Sequence, residues 1–285
     1  MDKLEHLVSR AEQLLTKLEA LFHAPAEPVD WKATAWCWVM HNNQGSLQAV
    51  QHPHQISLKN IQFVDAQKAE VVRNTRQFLQ GFTANHVLLT GARGTGKSSL
   101  VKALLHTYAK DGLRLIEVDK HDLIHLNKIV SLVRDRKEKF IIFCDDLTFE
   151  ANDVGYKALK VVLDGSIAGG ADNLLIYATS NRKNLMPEYM VDNLATQHGD
   201  GEIRPNETLD EKVALAERFG LWLSFYPFGQ DEYLAICKGW LATLDVPWNE
   251  AISAAALSFS HTRGMRSGRV AYQFARDYAG KLRLK

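Results

Sequence analysis

Hydrophobic positions along the chain follow two different periods. Across residues 1–22, Leu4, Leu7, Val8, Ala11, Leu14, Leu15, Leu18, Leu21 and Phe22 recur at three-and-four spacing, which predicts an amphipathic helix ended by Pro25 and Pro28. That stripe must be buried, against its own domain or against a partner. Residues 29–60 are irregular, with Trp31, Trp36 and Trp38 close together and turn signals at Asn42-Asn43 and Gly45, and predict a short hairpin packed on the main body. From about residue 58, short β-rich runs alternate with helical periodicity. The predicted strands cover residues 86–90, 113–118, 140–144, 173–178 and 221–226. Strands separated by helices imply a parallel sheet with crossover helices, and such sheets bind ligands at the carboxyl ends of their strands.

Those ends carry the chemistry. After the first of these strands comes Gly91-Ala92-Arg93-Gly94-Thr95-Gly96-Lys97-Ser98, then a helix-like run starting at Ser99. This is the GxxxxGK[ST] pattern. Its glycines let the backbone curl around a phosphate with several N–H groups pointing inward, while the lysine reaches the outer phosphates and the serine hydroxyl reaches magnesium. The apolar run Phe140-Ile141-Ile142-Phe143-Cys144 ends in Asp145-Asp146. Following a phosphate loop, that pair predicts Asp145 as the group that orients hydrated magnesium and Asp146 as the one that polarises the attacking water. The fourth run leads to Thr179-Ser180-Asn181, which reads either as a capping turn or as an amide held beside the strand that carries Asp145.

With these motifs in place the chain resembles the AAA+ ATPases over roughly residues 58–285. The likeness also includes Leu163-Asp164-Gly165, Ala178-Thr179-Ser180-Asn181-Arg182 and Glu217-Arg218-Phe219-Gly220-Leu221. More narrowly, Asn74-Thr75-Arg76-Gln77-Phe78-Leu79, the phosphate loop with its continuation through Ala103, and Ser267-Gly268-Arg269-Val270-Ala271 are similar to a bacterial ATP-binding family of unassigned cellular role. The resemblance implies an α/β nucleotide-binding domain with a five-stranded parallel sheet over residues 58–227. It further implies a small α-helical lid over 228–285, and leaves 1–57 as an N-terminal extension. It assigns Lys97 and Ser98 to the phosphates of ATP or ADP, Asp145 and Asp146 to the acidic pair and Asn181 to the polar sensor. Arg218 matches an arginine finger acting on a neighbouring subunit, and Arg269 a lid sensor in cis, with Arg182 and Arg266 as the nearest rivals. Ile61 and Phe63 match the segment that lines the adenine pocket, and Ser99 closes the loop. Magnesium would rest on Ser98 and Asp145.

Two departures refine this. Most active relatives end the acidic pair in glutamate, whereas Asp146 reaches one C–C bond less far, which leaves room for a contribution from Glu150 or for slow turnover. The segment Asp119–Asn127 holds no aromatic residue, so a threading unfoldase is disfavoured; its His121 and His125 are assigned to solvent or capping rather than to a metal. The expected activity is magnesium-dependent ATP hydrolysis in a homo-oligomer, coupled to conformational change in a macromolecular partner. A nucleotide-sensing module with little turnover and a DNA-associated loader are the alternatives, and a small-molecule kinase fits less well.

Composition narrows the setting. The chain has 285 residues, and 34 basic against 33 acidic side chains exclude bulk adhesion to nucleic acid or to an anionic membrane. No run has the length of a membrane helix, and Asp2, Lys3, Glu5 and His6 break up any signal peptide. Cys37, Cys144 and Cys237 form no CxxC pair and suit a cytoplasmic location. The balance of charge is nevertheless regional. Residues 86–110 carry Arg93, Lys97, Lys102 and Lys110 without an acid, residues 261–285 are basic, and residues 188–217 are acidic, so an acidic face meeting a neighbour's basic lid is a further expectation.

Overall fold

A computed structural model describes residues 28–41, 44–149, 153–165, 171–181 and 215–284, together with residues 6, 8, 10 and 12. The N-terminal stripe, apart from Val8, lies outside the described residues. So do Glu150, Arg182 and residues 188–214 of the acidic stretch.

Each predicted strand forms, within two residues at either end. The strands are β1 (Ala35–His41), β2 (Gln44–Ala49), β3 (Val87–Gly91), β4 (Leu113–Glu117), β5 (Lys139–Cys144), β6 (Leu174–Ser180) and β7 (Leu221–Phe225). The helices are α1 (Asp65–Leu79), α2 (Lys97–Tyr108), α3 (Leu126–Val133), α4 (Val154–Leu163), α5 (Gln230–Ala242), α6 (Glu250–Arg263) and α7 (Gly268–Arg283). Among the described residues they build one seven-stranded sheet in the order β2-β1-β4-β5-β6-β3-β7. Only the β1–β2 pairing is antiparallel.

Seven strands replace the five expected, because the tryptophan-rich hairpin is part of the sheet rather than packed on it. Trp36 and Trp38 alternate with Cys37 and share a buried face with Leu47, Phe140 and Ile142. The Trp31 and Trp36 rings also stand 6.4 and 6.2 Å from that of Phe140. Once that face is buried, the backbone of Ala35–Cys37 lies in register with Leu115–Glu117 and completes its hydrogen bonds there.

Helices cover both faces. Val87, Leu89, Leu113 and Ile141 point to one apolar cluster with α1 and α2, while Leu88, Ile116 and Ile142 point to the other with α3 and α4, the period-2 alternation of a sheet buried on both sides. The first cluster continues without interruption into the C-terminal helices through Tyr233, Ile236, Leu241, Ile252, Val270 and Phe274. Local signals end these helices. Asn249 caps α6 by accepting from Ile252 N–H, Gly264 closes it with φ 67°, and the Ser267 hydroxyl caps α7 by accepting from Val270 N–H. The short α6–α7 turn is thereby fixed over the end of β3.

Candidate functional site

The phosphate loop joins β3 to α2. Gly91, Gly94 and Gly96 all take positive φ, at 119°, 73° and 99°. At two of them the space is also closed: a Cβ on Gly91 would stand 2.0 Å from the Phe225 carbonyl oxygen, and one on Gly94 would stand 2.7 Å from Ser267 Oγ. The loop is therefore pressed between β7 and the α6–α7 turn. Gly268 N–H donates to Gly94 O at 2.8 Å and ties the last helix to the loop.

Lys97 opens α2 and is buried. Its ammonium donates to Gly91 O at 2.8 Å, Ala92 O at 2.7 Å and Asn181 Oδ1 at 3.2 Å. Burial pulls its pKa down to about 8, against the opposing pull of Asp146 and Asp145, and nearby Arg93 lowers it further. Ser98 Oγ donates to Asp145 Oδ1 at 2.6 Å, and Thr179 Oγ1 donates to the same oxygen at 2.5 Å. Thr179 Oγ1 also accepts from Asp146 N–H at 2.9 Å, and Asn181 Nδ2 donates to Asp146 Oδ1 at 2.5 Å. Asn181 thus touches both Lys97 and Asp146, and Lys97, Ser98, Asp145, Asp146, Thr179 and Asn181 form one connected group. Asp146 holds φ at 53°, a left-handed conformation that is uncommon for an aspartate and turns its carboxylate toward Asn181.

Sheet register explains the convergence. β6 lies between β3 and β5, with Thr90 aligned on Ser180 and Cys144 on Ala178, so the three strand ends deliver their polar residues to one place. The sequence gives Thr179 no role of its own beyond the run that ends at Asn181, yet its hydroxyl joins the two halves of the acidic pair. A polar residue ending an otherwise apolar strand was the signal for it. Ser98 and Asp145 offer hard oxygen donors side by side, a set that suits magnesium completed by phosphate and water oxygens.

The remaining predicted residues are more dispersed. Ile61 Cγ2 lies 3.6 Å from where a Cβ on Gly96 would sit, and the Phe63 ring meets Phe228 edge-on with centroids 6.5 Å apart. Both therefore lie where the loop meets the C-terminal helices. Thr95 is buried, its hydroxyl donating to Ala92 O at 2.9 Å, while Ser99 is half-buried in the first turn of α2. Arg269 is exposed in the first turn of α7, its Cβ 3.5 Å from the position of a Cβ on Gly94. Arg218 is elsewhere: it pairs with Asp164 just before β7, whose first residue Leu221 aligns with Val87 at the start of β3. One strand, roughly 16 Å at about 3.3 Å per residue, separates it from its own phosphate loop. In the Asp119–Asn127 segment, His121 N–H is capped by Asp119 and the His125 ring lies 6.0 Å from that of Trp38.

A mostly parallel sheet with a phosphate loop after β3, an acidic pair after β5, a polar side chain ending the strand between them and a helical C-terminal part is the fold of AAA+ P-loop domains. Residues 31–282 match the family described as "Protein of unknown function (DUF815)", and the chain belongs to that family. Among solved structures, the FIGL-1 AAA domain in complex with ADP is similar at a TM-score of 0.52 and 16% identity, over 81% of this chain and 75% of that one. The Thermotoga maritima RuvB Holliday junction branch migration motor is similar at a TM-score of 0.49 and 18% identity, over 79% of this chain. The chain spans 64% of the RuvB chain. No curated protein matches the sequence. Among the described residues no helix is long and apolar enough to cross a membrane.

Proposed function

We propose that the chain binds ATP with magnesium in this cradle and hydrolyses it, using the cycle to change the conformation of a macromolecular partner. The observation that carries this reading is the connected group of six residues, in which Asn181 bridges Lys97 and Asp146, Ser98 and Thr179 share one oxygen of Asp145, and the Asp146 backbone N–H joins the two sets through Thr179. Backbone N–H groups of the loop and the start of α2 would take the phosphates, with Ile61 and Phe63 beside the base. Lys97 would exchange the carbonyls of Gly91 and Ala92 for phosphate oxygens. Magnesium on Ser98 and Asp145 would neutralise charge between the outer phosphates. Asp146 accepts a proton from water as the water oxygen bonds to the γ-phosphorus, and the bond to the β–γ bridging oxygen breaks, its electron pair leaving with ADP. Asn181 holds the Asp146 carboxylate for that step. Residues 228–285 would serve as the lid on 58–227, and Arg218 would act only on a neighbour's nucleotide in an ATP-promoted homo-oligomer.

Phosphate release by the wild type, Lys97→Ala and Asp146→Asn tests the reading. Hydrolysis requires a wild-type rate above both variants, with a loss of about 100-fold or more at Lys97; equal background rates in all three would remove it. A second reading, a nucleotide sensor with little turnover, draws on the Asn181–Asp146 bond, which occupies the carboxylate that must act as base. It expects tight ATP binding by the wild type without multiple turnovers.

A further inference from the structure

Direction along the cradle follows from its chemistry. Lys97, Asp146 and Asn181, the groups suited to the outermost phosphate, gather beside the carbonyls of Gly91 and Ala92. Ile61 stands at the other end of the loop, its Cγ2 3.6 Å from the position of a Cβ on Gly96. A nucleotide laid along the loop therefore brings its base to residues 61–64, between the loop and the C-terminal helices. Apolar contact alone would hold any purine there, because every base has an apolar face. Telling one purine from another takes hydrogen-bonding groups aimed at the edge of the base.

The backbone of Ile61 has none to offer. Its N–H donates to Leu58 O at 3.3 Å and its carbonyl accepts from the Lys68 ammonium at 2.7 Å. Gln62 is different. Its side chain is half-buried and, among the described residues, makes no hydrogen bond, so a donor and an acceptor in one plane are both free. The three atoms nearest to where a Cβ on Gly239 would sit all belong to this side chain, with Nε2 at 2.8 Å. Gly239 lies inside α5, where a glycine weakens a helix that alanine would strengthen. What its missing side chain provides is a seat for the Gln62 amide. Phe63, next in the chain, holds φ at 60°, an outlier for so bulky a residue, and its ring meets Phe228 edge-on. Consecutive side chains, which would point to opposite sides of an extended chain, thereby both reach the C-terminal part.

We propose that Gln62, seated on α5 by Gly239, reads the base of the bound nucleotide, accepting from the 6-amino group of adenine and donating to N7, and so selects adenine over guanine nucleotides. This rests on the nucleotide-binding reading above and adds to it the side chain that sets the base preference. The edge formed by position 6 and N7 shows one donor and one acceptor in adenine but two acceptors in guanine. A single amide satisfies both groups of the first, and against the second its own carbonyl is left unpaired.

Calorimetric affinities for ADP, GDP and 7-deaza-ADP, in which carbon replaces N7, would be compared in the wild type, Gln62→Ala and Gly239→Ala. The wild type should prefer ADP to GDP by about tenfold or more, and should bind 7-deaza-ADP several-fold more weakly than ADP. In Gln62→Ala the affinity for ADP should drop to that for GDP, which itself stays within about threefold of wild type, and the difference between ADP and 7-deaza-ADP should vanish. An equal loss for ADP and GDP would make Gln62 a structural residue and overturn the proposal. Gly239→Ala should melt no lower than the wild type yet lose part of the ADP preference, because the added methyl displaces the amide; an unchanged preference would overturn the seat. Equal binding of ADP and GDP by the wild type would overturn base reading while nucleotide binding stands, whereas binding of neither would remove the nucleotide-binding reading and this one with it.

Discussion

Lys97 sets the pH range in which the cradle can work. Enclosed by the loop, its ammonium has traded water for two carbonyls and an amide oxygen, and its pKa falls from 10.5 to about 8. A lysine with a lowered folded-state pKa has lost part of its charge above that value, whereas bound phosphates favour the charged form. Nucleotide binding should therefore draw in a proton at pH 8.5 and almost none at pH 6.5, and affinity should fall toward tenfold per pH unit above about 8. The last phosphate ionisation, near pH 6, is complete by then. Calorimetry at pH 8.5 in two buffers of different ionisation enthalpy reads the proton directly; equal heats in both would contradict the shift. Lys97→Arg, which keeps its charge throughout, should bind more weakly but with a flat profile. Lys97, Ser98 and Asp145 were legible in the sequence because one loop and one strand end dictate them locally. The bridge made by Asn181 was only half legible: its residue type suggested it, but its two contacts depend on the β3–β6–β5 register, which no local pattern states.

At the scale of elements, the informative case is the edge of the sheet. Alternation at Trp36, Cys37 and Trp38 marks a strand, but pairing β1 with β4 requires a register with residues eighty positions away, so the sequence supports a hairpin without saying where it docks. The packing is specific nonetheless. A Cβ on Gly45 would fall 1.9 Å from Trp38 Cζ2, so Gly45→Ala should displace the indole and cost about 2 kcal/mol, a drop of about 5 °C in melting temperature. A thermal melt unchanged within a degree would show that the indole has somewhere else to go. A second element depends on a histidine. His86 Nδ1 accepts Ile176 N–H at 2.9 Å just before β3, and burial holds its pKa down to about 4. The unfolded chain takes up a proton near pH 6.5 and the folded chain does not, so stability should be complete above that pH and decline as pH drops toward 4, at about 1.4 kcal/mol per unit. Urea midpoints at pH 7 and 5, compared with those of His86→Asn, isolate the slope; an equally steep fall in the variant would assign it to other groups.

The whole molecule depends on the contact between its C-terminal helices and its phosphate loop. The apolar cluster under α1 and α2 runs on into α5, α6 and α7, so the two parts share a core, while among the described residues a single backbone hydrogen bond, Gly268 N–H to Gly94 O, ties them together at the site. That bond can be removed without unfolding either side. Gly268 is the first residue of α7, where a missing N–H and a φ near −65° suit proline, and Ser267 before it already has the extended backbone (φ −142°, ψ 160°) that a following proline requires. Gly268→Pro should therefore leave the circular dichroism spectrum unchanged while its ring, placed against Gly94 O, lifts the turn off the loop. If the C-terminal helices close over bound nucleotide, release of a fluorescent ADP analogue should then become about tenfold faster with little change in association, because closing acts on departure more than on encounter. Stopped-flow displacement measures both rates. Unchanged release from a well-folded variant would mean that the shared core alone holds the C-terminal helices in place; faster release would make the Gly94–Gly268 contact the point where nucleotide occupancy and the arrangement of the C-terminal helices are coupled.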